Sequence, residues 1–98
     1  MYHRFYAHIT WTTRERAPLI DATLARFLIR FLRQVGTQER ARVLEIGMVA
    51  DHVHILVRLH PTTAIPRLMQ RLKGGSAVLG TTHTPGHPGL RWAKGYSI

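Results

Sequence analysis

The 98-residue sequence contains no cysteine, so disulfides, thiolate nucleophiles and zinc–thiolate centres are all excluded. Acidic residues are scarce as well. Five Asp and Glu stand against 14 Lys and Arg, a formal net charge of +9. Such an excess argues against an acidic or neutral scaffold and for a polyanionic partner, most simply nucleic acid. No apolar run approaches the roughly 18 residues of a membrane span, and the start has no cationic, apolar, small-residue signal segment. Internal repeats and low-complexity tracts are missing too. What remains is one domain over residues 1–98, large enough for a single modest core. The expected location is the cytoplasm, at the nucleoid, with no membrane partner.

The stretch Met48–Leu59 carries the clearest pattern. Val53, Ile55, Val57 and Leu59 alternate with His52, His54, Leu56 and Arg58. Only a strand has this period, so His52 and His54 share one face about 7 Å apart along the chain. Two imidazoles at that spacing can approach one divalent cation, with Asp51 beside them. A bare His-x-His pair is more often two surface histidines. The fully aliphatic opposite face and the adjoining acid tip the reading toward a site.

The rest of the chain sorts by period. Residues 3–13 read as a strand, with Phe5, Ala7, Ile9 and Trp11 toward the core and Tyr6, His8 and Thr10 on the other side. Residues 19–35 read as a helix. Its stripe is Ile20, Leu24, Phe27, Leu28, Phe31, Leu32 and Val35, Asp21 stands at its start and Gly36 is the expected stop. Arg26, Arg30 and Arg33 form its solvated back. Residues 40–50 form a strand joined to the histidine strand by a tight turn at Ala50-Asp51, hence an antiparallel hairpin. Residues 63–79 form a second helix on Ile65, Leu68, Met69 and Leu72. Thr62 or Thr63 is its expected cap, and Gly74-Gly75 is a place where something could approach its backbone. Residues 81–90 read as a loop whose His83 and His87 share no helical face. Residues 90–98 read as a final strand. The order strand, helix, strand, strand, helix, strand implies an α+β, ferredoxin-like split βαβ fold, its antiparallel sheet covered by both helices on one face. The histidines then lie on the open face.

Four segments resemble one family, the small HUH tyrosine transposases of the IS200/IS605 and REP-associated type. They are Trp11-Thr12-Thr13-Arg14-Glu15-Arg16, Asp51-His52-Val53-His54-Ile55-Leu56-Val57, Arg71-Leu72-Lys73-Gly74-Gly75-Ser76, and the Trp-x-x-Gly-Tyr of Trp92–Tyr96. Histidine-triad hydrolases would need a third histidine where Leu56 stands. The resemblance implies a DNA transposase that binds single-stranded or hairpin DNA. It implies nicking and joining through a metal-assisted 5′-phosphotyrosine. His52 and His54 would be ligands of a divalent metal, Mg2+ or Mn2+, and Arg14, Arg16, Arg67, Arg71, Lys73 and Lys94 would hold nucleic acid. Relatives are homodimers, so a homodimer is expected. Relatives also carry the nucleophilic tyrosine on a helix beyond the last strand, and the sequence stops before one. Tyr96, the one candidate catalytic tyrosine, matches the family's strand tyrosine instead. The sequence therefore supports a second reading, a nuclease-dead nucleic-acid-binding module of the same fold. A metal hydrolase of small phosphoesters is the distant third.

Overall fold

The computed structural model describes residues 5–83 and 89–98. Strand β1 (Phe5–Thr12) leads through a 3-10 turn (Arg14–Arg16) to helix α1 (Ala22–Gln38). Strands β2 (Ala41–Val49) and β3 (His52–Leu59) and helix α2 (Ile65–His83) follow. The sheet order is β1-β3-β2, with β3 antiparallel to both neighbours. Two parallel strands thus flank a third, the split βαβ arrangement that the element order implied. His83 closes α2, while His87 lies outside the described residues.

Period and burial agree along the sheet. Ala7, Ile9 and Trp11 of β1, Val43 of β2, and Val53, Ile55 and Val57 of β3 are buried in one core with Leu24, Leu28 and Leu32 of α1 and Leu68, Met69 and Leu72 of α2. Phe5 belongs to the same parity but is 48% exposed at the strand's end.

Three expected boundaries move, each for a local reason. Helix α1 begins later, at Ala22, because Asp21 is its N-cap: the Asp21 carboxylate accepts from Leu24 N at 2.8 Å. The helix then runs through Gly36 instead of stopping there. A Cβ on Gly36 would lie 2.6 Å from the carbonyl oxygen of Ala41, so this glycine permits close packing of α1 on β2. The chain turns at Arg40, in the left-handed region with φ 58. Helix α2 spans Ile65–His83, so residues 81–83, expected in a loop, are helical, and it runs through Gly74-Gly75 as expected. At Gly75 the expected close approach is present, since the ring of Phe31 occupies the place of a Cβ. The hydroxyl of Thr63 is spent between Arg40 O and His60 N, on the loop before α2.

The last segment is no regular strand. It follows the outer side of β1 through two isolated antiparallel bridges, Thr13 with Trp92 and Thr10 with Ser97. Gly95 between them has φ +81, which leaves the extended region, and the carbonyls of Ala93 and Gly95 accept from Lys73 Nζ. In β2 a bulge between Val43 and Glu45 interrupts the ladder, and Arg33 Nη1 donates to Val43 O at 2.8 Å. One arginine of the solvated back therefore has a structural bond.

Helix α1 is tied to α2 at its C-terminal end. Glu39 accepts from Arg67 Nε at 2.7 Å and from Arg71 Nη1 at 2.9 Å, and Arg71 also donates to Gln38. The Arg67 hydrogen bond first, then that of Arg71, hold the Glu39 carboxyl below its ordinary value of 4.5. A depressed carboxyl contributes fully above its unfolded pKa, and the contribution is lost as pH falls through the lower folded value. Glu39→Gln should therefore be less stable than wild type near neutrality. In urea titrations the difference should shrink steadily below about pH 4.5. A difference that stays constant into acid would mean that the ionised pair contributes nothing.

Candidate metal and nucleic-acid site

The sheet face opposite the core is set by parity and register. Tyr6, His8, Thr10 and Thr12 of β1 share it with His52, His54, Leu56 and Arg58 of β3. Thr12 and Val49 flank His52 across the sheet, and Thr10 and Gly47 flank His54.

His52 is oriented from the hairpin turn. Its Nδ1 lies 2.9 Å from Asp51 Oδ1, and Asp51 Oδ2 accepts from Arg16 Nε at 3.2 Å. The His52 hydrogen bond first, then that of Arg16, keep the Asp51 carboxyl below the usual carboxylate range. An ionised Asp51 accepts only, so the proton of a neutral His52 sits on Nδ1 and leaves Nε2 a bare lone pair. Histidines that bind metals are commonly held this way.

The turn that delivers Arg16 is strained. Glu15 and Arg16 have φ 56 and 55, two successive non-glycine residues in the left-handed region. Buried Thr13 fastens this turn to the hairpin. Its N–H donates to Asp51 O at 2.8 Å, and its hydroxyl lies 2.7 Å from Ala17 O and 3.1 Å from Asp51 O.

His54 is held by different neighbours. Its Nδ1 lies 3.2 Å from Nε2 of His8, and the two rings meet edge to face with centroids 5.2 Å apart. On the other side the distal ring edge of His54 (Cδ2, Cε1, Nε2) fills the space that a Cβ on Gly47 would need. Both predicted ligands thus have Nδ1 occupied by a neighbour. Two imidazoles suit part of a nitrogen and oxygen coordination set for a divalent ion. Among the described residues no three His, Asp or Glu side chains come together to complete one.

The six basic residues singled out in the sequence separate into groups. Arg14, Arg16 and Lys94 are exposed. Arg67 and Arg71 engage Glu39 at the far end of the helices. Lys73 is half-buried. Its Nζ donates to Ala93 O and Gly95 O at 2.8 Å each, and burial pushes its pKa down. Beside it, Ser76 Oγ accepts from Trp92 Nε1 at 2.9 Å, while Trp92 packs edge to face on Trp11. The Leu-Lys-Gly-Gly-Ser and Trp-x-x-Gly-Tyr motifs are therefore two halves of one seam: α2 holds the last segment against β1. Tyr96 lies on that segment, 37% exposed.

Sequence reading missed Arg91. With Arg14, Glu15, Ala17, Leu19 and Gly89 it lines a groove of about 480 Å3 beside the strained turn. Its backbone carbonyl accepts from Arg14 N, a pairing of segments 77 residues apart. Nothing in local spacing signals that.

The whole chain, residues 1–98, matches the model of the family described as transposase IS200 like. The chain belongs to the IS200-like transposase family. Its relatives include the ISDra2 transposase TnpA of Deinococcus radiodurans, 33% identical over 70 residues that cover 71% of this chain and 50% of that protein. The transposase for insertion sequence element IS200 of Salmonella typhimurium is 28% identical over 72 residues, covering 74% and 47%. This IS200-like chain thus spans about half the length of the curated relatives it matches. A crystal structure of a Deinococcus radiodurans protein assigned as a transposase superposes with a TM-score of 0.87 at 25% identity, over 99% of this chain and 78% of that one. A REP-associated tyrosine transposase bound to a REP hairpin shares the fold, with a TM-score of 0.66 at 17% identity, over 99% and 59%. Among the described residues of the IS200-like chain, no helix is long and apolar enough to cross a membrane.

Proposed function

We propose that this chain is the metal-binding and strand-holding part of a transposase that nicks and rejoins single-stranded or hairpin DNA. The observation that carries the reading is the pair His52 and His54 on the open face, each with Nδ1 engaged by a neighbour. Their Nε2 atoms would hold Mg2+ or Mn2+, and such an ion, when bound, supplies charge that stabilises the transferring phosphate. The chain's own residues do the rest. Asp51, fixed by Arg16, keeps the proton of His52 on Nδ1. Arg14, Arg91 and Lys94 offer guanidinium and ammonium groups to the strand's phosphates, with Arg16 at the edge of the site. Arg67, Arg71 and Lys73 have protein partners, so they act on nucleic acid chiefly through the field of the net positive charge. Acting on the nucleoid in the cytoplasm follows from the same reading.

A second reading is a nucleic-acid-binding module without nuclease activity: Tyr96, the candidate tyrosine, stands on the seam beside β1.

One titration series tests both. A hairpin with a single-stranded flank is titrated with protein at rising salt, with and without Mn2+. Affinity should fall steeply with salt, and each of Arg14→Ala, Arg91→Ala and Lys94→Ala should flatten the log–log slope by about 0.7. Lys73→Met should leave that slope and lower the stability of the protein instead. His52→Ala/His54→Ala should abolish the Mn2+ effect. A denaturant-stable protein–DNA adduct in the same samples supports nicking, whereas binding without one supports the module. Affinity that is flat with salt, or an unchanged Mn2+ effect in the double variant, defeats the proposal.

A homodimer belongs to the same proposal. The outer side of β2 pairs with no described strand and exposes Leu44 and Val49, while Tyr96 and Ile98 are exposed on the last segment. Light scattering should give twice 11.2 kDa. A monomer mass at high concentration rejects it.

A further inference from the structure

We infer that His8 is a positioning residue for His54, acting by fixing which ring nitrogen of His54 carries the proton. The inference rests on the metal reading above and names a part that no sequence motif marks.

His8 lies on β1 on the open face, opposite Leu56 and diagonal to His54. Its Nε2 is 3.2 Å from His54 Nδ1 and the rings stand at 80°, so the edge of one ring addresses the other. Between two neutral imidazoles, one nitrogen must donate and the other accept. There are two ways to do so. If His8 donates, His54 carries its proton on Nε2 and has no lone pair there. If His54 donates from Nδ1, its Nε2 is bare and available to a cation.

The metal reading requires the second arrangement, because a cation at His54 needs the lone pair of Nε2. The distal edge of His54 rests over Gly47. Both rings are exposed, so solvent can satisfy the proton that this arrangement leaves on His8 Nδ1. His52 reaches the same state through Asp51. The two strand histidines would then present the same nitrogen, one aligned by a carboxylate and the other by an imidazole. Outer partners of this kind are typically worth 10–100-fold in metal affinity.

The direct readout is the tautomer, observed without metal. Long-range 1H–15N spectra are recorded on the whole chain about two pH units above the ordinary imidazole pKa of about 6.5. Wild-type His54 should appear with an unprotonated Nε2. In His8→Phe, which keeps a ring but no acceptor, His54 should shift toward the Nε2–H form while His52 stays as it was. Mn2+ affinity should fall about 10–100-fold. His8→Gln, which restores an acceptor oxygen, should recover most of both. A wild-type His54 protonated on Nε2, or a His54 tautomer unmoved in His8→Phe, overturns the inference. Failure of the metal reading looks different: Mn2+ binding would survive His52→Ala/His54→Ala whatever the tautomer.

Discussion

Gly47→Ala should cost about 100-fold or more in Mn2+ affinity and leave the fold intact. The new methyl group would stand where Nε2, Cε1 and Cδ2 of His54 now lie. Neither backbone can give way, because Gly47 and His54 are direct partners in the β2–β3 ladder. The ring cannot slide toward β1 without meeting His8. It must therefore rotate out of its place, and displacement of about an ångström is enough to cost two orders of magnitude in a positioned site. Stability should not fall with it. Glycine in a strand is conformationally expensive, so alanine here is neutral or mildly favourable once the ring has left. A loss of metal affinity with no loss of folding stability, read by calorimetry and urea denaturation on one sample, is the signature. Unchanged Mn2+ binding would show that the ion does not depend on this placement of His54.

Gly36→Val should destabilise the protein by more than about 3 kcal/mol, beyond the usual cost of overpacking. A Cβ at this position would be 2.6 Å from Ala41 O and 3.0 Å from Val43 Cγ2. The nearer atom is backbone, held in a strand, so relief requires moving the 17-residue helix α1 off the sheet. Gly74→Ala provides the contrast. Nothing lies within 4 Å of its Cβ position, and alanine is the better helix former by about 1 kcal/mol, so that variant should gain stability. Equal effects at the two glycines would mean that the helix–strand contact yields more easily than its geometry implies.

These two glycines also mark the limit of what the sequence could tell. Alternation assigned the faces of β1 and β3 correctly, because parity is a property of one strand. It therefore placed His52 and His54 together on the open side, and it placed His8 there too. It could not say that His8 meets His54, since that depends on register between segments 46 residues apart. The same holds for Gly36, whose neighbours come from β2, and for Lys73, whose partners are carbonyls twenty residues on. A lysine flanked by glycines in a basic chain reads as a phosphate ligand until the segment that covers it is in place. The bulge at Leu44 and the break at Gly95 were hidden for a related reason: each interrupts a ladder that the local pattern would have continued.

The seam between β1 and the last segment has a spectroscopic consequence. The chain contains two tryptophans, and Trp11 and Trp92 are that pair, centroids 5.8 Å apart at 78°. Indoles so close and so steeply inclined should couple their excited states and give an exciton couplet in circular dichroism. One ring belongs to β1 and the other to the segment latched by Lys73 and Ser76. The couplet thus reads one distance, the docking of that segment, with no label added. It would vanish if the segment lifted, even with the sheet and both helices still folded, so release of the latch and global unfolding become two separable optical events.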